Sequence, residues 1–129
     1  MQQRLAGIGA ILMLLAVALG AFGAHVLEPI IADSIDTYKT GVQYHMIHGV
    51  GMILAALAAG TWGDSRKLRM AAWLFLLGII LFSGSLYMLA VTGWKWLGPI
   101  TPLGGISFIA GWLLFAMSIW GKIREGVRE

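Results

Sequence analysis

Cysteine is absent from the 129 residues, which removes disulfides, thiolate metal ligands, cysteine nucleophiles and lipoprotein attachment together. Charge is scarce. Only 12% of residues are Asp, Glu, Lys or Arg, about half the share of an ordinary soluble domain, and they collect between apolar stretches. No carboxylate falls in the part of those stretches where the polar side chains gather. The three prolines stand between the stretches, not inside them. Little chain lies outside those stretches, so one compact unit is expected, not a tethered enzyme or a receptor.

What fills the chain is apolar surface. Residues of the AVILMFWYC set make up 59% and the mean hydropathy is +0.83, above the composition of a water-soluble monomer. Four runs carry it: 5–24, 42–61, 71–92 and 103–120. At about 1.5 Å rise per residue, each reaches across a hydrocarbon core of about 30 Å. The expected fold is all-α, a single integral membrane bundle of four transmembrane helices over 1–129. The first run is longer than the apolar core of a secretory signal, so an uncleaved first helix is expected.

Four spans place both termini and the middle loop on one side. That side holds Arg4, Arg66, Lys67, Arg69, Lys122, Arg124 and Arg128, against Lys39 and Lys95 on the other. The asymmetry predicts cytoplasmic termini in a multi-pass protein of the cytoplasmic (inner) membrane. It also accounts for the net charge of +3 without a nucleic-acid partner, leaving at most attraction to anionic headgroups.

The first outer loop carries Glu28-Pro29, a break. After it Ile35, Tyr38 and Val42 recur at helical spacing, predicting a short amphipathic interfacial helix capped by Asp33. Small residues recur at four-residue spacing: Ala6 and Ala10, Ala16, Gly20 and Ala24, Ala55 and Ala59, Ser107 and Gly111. Such positions let helices approach closely in lipid. Trp62-Gly63 and Trp120-Gly121 read as two similar helix exits.

The polar side chains concentrate toward the outer half: His25, Gln43, Tyr44, His48, Ser83, Ser85, Tyr87 and Thr101. His45 and His48 share a helix face. Ser83 and Ser85 point apart on an ideal helix, so span three either packs on two sides or is distorted at Gly84. Thr101 is expected to cap the last helix, with Pro102 in its first turn. Neither serine has a base nearby in sequence, so no catalytic residue is assigned. Three histidines without a carboxylate or thiolate assign no metal site and no cofactor, and haem or metal binding stands behind the other readings.

These residues also carry a resemblance. Gly20-Ala21-Phe22-Gly23-Ala24-His25, Thr40-Gly41-Val42-Gln43-Tyr44 with His48, Phe82-Ser83-Gly84-Ser85-Leu86-Tyr87, and Ile100-Thr101-Pro102-Leu103-Gly104-Gly105 with Gly111-Trp112 resemble, in order and spacing, the domain of unknown function 423 family of small membrane proteins, which includes the YgdD, YwdK and transmembrane protein 256 proteins. The resemblance implies a four-span membrane protein with no settled activity. It singles out His25 and His48 as motif histidines and His45 as an individual departure.

The expected function is therefore non-enzymatic: a small structural or interaction protein whose partners are the lipid bilayer and a second copy or another membrane protein. The alternative is binding or transport of a small solute, lipid or proton through the outward polar cluster.

Overall fold

The computed structural model describes residues 1–129, helical except for short connections. Helix α1 is Gln2–Phe22, α2 Ile35–Trp62, α3 Arg66–Gly78, α4 Gly84–Thr92 and α5 Ile100–Arg128. Helices α3 and α4 form one continuous rod. They are joined by Ile79–Ser83, where the Gly84 N–H reaches back five residues to the Ile79 carbonyl. The same wide turn extends α1 through Gly23–Leu27, closed by the Glu28 N–H on the Gly23 carbonyl. Four helical segments are thus long and apolar enough to span a membrane: Gln2–Leu27, Ala32–Trp62, Arg66–Thr92 and Lys95–Arg128. Each contains one of the four apolar runs.

A bilayer offers the backbone no water, so each spanning segment must satisfy its own N–H and C=O groups. Of 104 backbone hydrogen bonds, 95 lie within the helices, which leaves the spans self-sufficient in lipid. Ile11, Leu14, Ile80, Ile109 and Leu113 are exposed. In water such a surface would be an aggregating patch; here it is the belt that faces acyl chains.

Helices α2 and α3 are central, with α1 lying on α2 and α5 on α3 and its wide turn. Leu5, Met52, Ala55, Ala56 and Ala72 form the core between α1, α2 and α3. Phe75, Ile79 and Phe108 form another between α3 and α5. Close approach depends on glycine. A Cβ at Gly104 would strike the Phe82 backbone, one at Gly78 the Phe108 ring, and one at Gly111 the Phe75 ring. Ala55, Ala59, Ser107 and Gly111 are buried as their spacing predicts, whereas on α1 the buried small positions are Gly9 and Ala16, and Ala10 is exposed.

Three local expectations need correction. The amphipathic stretch leads into the second span, as part of the same helix. After a tight turn at Ala32–Ser34 it continues as the first turns of α2. Asp33 caps nothing, and Ser34 at the helix start spends its hydroxyl on the carbonyls of Ala90 at 2.7 Å and Ile31 at 3.3 Å. Gly63 stops α2 at φ +96°, but α5 runs through Trp120-Gly121 to Arg128. No positive φ occurs at Gly121, so the two exits are not equivalent. Thr101 lies inside α5, whose first residue is Ile100. Its hydroxyl turns to a neighbouring helix instead of capping its own.

Candidate functional site

His48 stands near the middle of α2 and is 3% exposed. Its Nδ1 is 2.7 Å from the Tyr44 carbonyl, one turn back. A carbonyl only accepts, so Nδ1 carries the proton and Nε2 is left as an acceptor. Trp112 on α5 fills that position, donating its Nε1–H to Nε2 at 3.0 Å. Phe108 stacks on the imidazole with ring centroids 3.5 Å apart and 10° between planes, and Tyr44 flanks it at 5.9 Å. Both nitrogens of this histidine are occupied and its tautomer is fixed by its neighbours.

One turn earlier on the same face, His45 is also 3% exposed. Its Nδ1 and the Tyr87 hydroxyl of α4 share a hydrogen bond at 2.8 Å. Its Nε2 has no hydrogen-bond partner. Tyr87 reaches this position because Gly41 on α2 leaves room for its ring. Tyr38 packs beside Tyr87, ring centroids 5.2 Å apart, and donates its hydroxyl to the Leu19 carbonyl of α1 at 2.5 Å. The ring of Tyr38 occupies the space where a Cβ of Gly23 would stand. Together these residues tie α1, α2 and α4 at the end of the bundle away from the two termini.

Ser85 and Thr101 link α4 to α5, hydroxyl to hydroxyl at 2.6 Å, while Ser85 also donates to the Phe82 carbonyl at 2.8 Å. Ser83 is fully buried and its Oγ has no partner. The backbone is α-helical at Ser83 and Gly84, so the two serines do point apart, and both are buried because this rod packs on two sides, against α2 and against α5.

The eight candidate residues do not form one site. Tyr44 and His48 sit together near mid-span, Ser85 with Thr101 form a second pair, and Tyr87 belongs with His45. Ser83 is buried alone. Gln43 is exposed, and His25 is exposed on the turn after α1 with no side-chain hydrogen bond. The two motif histidines, His25 and His48, share no hydrogen bond. Two further hydroxyl contacts lie outside these groups: Ser107 donates to the Leu74 carbonyl at 2.7 Å, and Ser118 meets Ser65 at 2.9 Å at the basic end. No three histidine, aspartate or glutamate side chains converge in metal-binding geometry.

Sequence reasoning undervalued His45 and missed Trp112, Ser107 and Ser118 as partners. A tryptophan N–H within a span needs an acceptor, and that requirement was the available signal for Trp112. Beside this cluster a groove of about 540 Å³ opens toward lipid, lined by Leu12, Leu15, His45, Ser85, Tyr87 and Trp96 among others.

Comparison with known proteins places the chain. Residues 19–105 match the model of a protein family described as "Protein of unknown function (DUF423)". The chain belongs to the DUF423 family. The "UPF0382 membrane protein YwdK" of Bacillus subtilis is 49% identical over 86% of this chain and 91% of its own length. A "UPF0382 membrane protein" of Haemophilus influenzae is 43% identical over 78% of this chain and 80% of its own. No solved structure matches. The polar contacts described above are therefore those of a DUF423 membrane protein, a family without an established activity.

Proposed function

We propose that this DUF423 chain is a non-enzymatic structural or interaction protein of the cytoplasmic membrane, with both termini in the cytoplasm. The observation that carries this reading is the pairing of polar side chains across helices. Trp112 with His48, Ser85 with Thr101, Ser107 with the Leu74 carbonyl and Ser118 with Ser65 each join two helices. Groups paired in this way hold a bundle together. The seven basic residues at one end support the orientation. The broad lipid-facing belt leaves room for a second copy or another membrane protein.

The test is to replace His48 by Ala in the chromosome and to follow membrane integrity together with protein level. The reading predicts a defect proportional to the loss of protein. A full defect at unchanged abundance contradicts it.

His45 favours a second reading. With Ser85 and Tyr87 it lines the mostly apolar groove of about 540 Å³, and a small, largely apolar uncharged molecule suits such a wall. His45→Leu with normal abundance but lost function would support it.

A further inference from the structure

At the basic end of the bundle, α3 begins and α5 leaves the apolar layer. A cleft of about 290 Å³ lies between them, lined by Ser65, Arg66, Lys67, Ser118, Gly121, Lys122 and Glu125 among others. We infer that this cleft binds the phosphodiester of an anionic phospholipid, held by Arg66, Lys67 and Lys122 around the Ser65–Ser118 hydroxyl pair.

Charge is the first ground. Three cations face one carboxylate in the cleft. Arg66 and Lys67 have no acidic partner within 4.0 Å, whereas Arg69 pairs with Asp64 at 2.5 Å and Lys39 with Glu28 at 3.3 Å. Lys122 has only Glu125, itself exposed, at 3.6 Å, a contact too weak to hold it against a phosphate.

The second ground is independent of charge. Ser118 is 6% exposed, and its Oγ is 2.9 Å from that of Ser65. Ser65 also accepts the Leu68 N–H at 3.3 Å. Two hydroxyls carry two O–H protons, and their mutual bond uses one. No protein group accepts the other, which is left to the open cleft. An oxygen-rich group that accepts without donating completes the pair, and phosphate is such a group.

Depth is the third. Ser118 closes the apolar run of α5 and Lys122 is one turn beyond it, so the cleft sits where lipid phosphates lie. Basic pockets between helices at this level are known to suit anionic headgroups.

The test uses the full chain released from mild detergent, titrated in native mass spectrometry with dioleoylphosphatidylglycerol, dioleoylphosphatidylcholine and inorganic phosphate. The expected result is one phosphatidylglycerol retained in preference to phosphatidylcholine. Arg66→Gln with Lys67→Gln should lower that retention about thirty-fold, since each basic residue near an anionic surface contributes about fivefold. Gly121→Leu should abolish retention without altering charge, because Gly121 lines the cleft and a Cβ there meets nothing within 4 Å. Arg124→Gln with Arg128→Gln, at the same end but outside the cleft, should change little. Arg66 and Lys67 are exposed, so their double variant reports on binding even if Gly121→Leu melts early. Equal retention of the two lipids overturns the inference, as does equal loss in the two double variants. Displacement of phosphatidylglycerol by millimolar inorganic phosphate overturns the lipid assignment and leaves a free-phosphate site.

Discussion

Trp112 donates to His48 across 64 positions of sequence, and this bond ties α5 to α2, two helices that otherwise meet little. The carbonyl of Tyr44 fixes the proton on Nδ1, which makes Nε2 the acceptor that Trp112 needs. Replacing His48 by Ala removes that acceptor and the surface beneath Phe108 at once. His48→Ala is expected to destabilise the bundle by about 1–3 kcal/mol, combining a lost interhelical bond with a cavity. Thermal unfolding in detergent measures it.

Glycine positions divide sharply. Gly104→Ala places a Cβ into the backbone of Phe82, which cannot rotate away. The α3–α4 rod and α5 must then separate, at a cost of about 1–3 kcal/mol or more. Gly7 has nothing within 4 Å of its Cβ position, so Gly7→Ala should leave the melting temperature unchanged or raise it. Paired melting curves of the two variants distinguish close packing from tolerance of glycine in lipid.

Thr101→Val keeps the shape of the side chain and removes the hydroxyl facing Ser85. A loss of about 0.6–1.7 kcal/mol is expected. Ser85→Ala also gives up the bond to the Phe82 carbonyl and should cost as much or more, with the double variant little worse than Ser85→Ala alone, since the interhelical bond is already gone.

Zinc and haem should neither bind stoichiometrically nor raise the melting temperature. Both ring nitrogens of His48 are engaged, and His25 stands exposed outside the cluster. A stoichiometric complex in isothermal titration that disappears in His48→Ala would contradict this.

Much of the fold was legible because the bilayer simplifies the rules. Length and apolarity alone locate four spans, and small residues at four-residue spacing mark Ala55, Ala59, Ser107 and Gly111 as contacts. Pairings across the bundle were not legible. Ser83 and Ser85 point apart on a rod that packs against both α2 and α5, and periodicity cannot register which neighbour each serine meets. Thr101 reads as a cap from Pro-Ile-Thr-Pro, yet a hydroxyl on the facing helix at 2.6 Å captures it. His45 was discounted as a departure from a family pattern, although burial beside Tyr87 depends on which face of α2 meets α4, a tertiary fact.

The central claim is that polar residues within the spans hold helices together. A double-mutant cycle of His48→Ala and Trp112→Phe, read as unfolding free energy in the same detergent, tests it most directly. A coupling of about 0.6–1.7 kcal/mol is predicted for one interhelical hydrogen bond. Zero coupling, with both single variants as stable as the parent chain, would contradict the account.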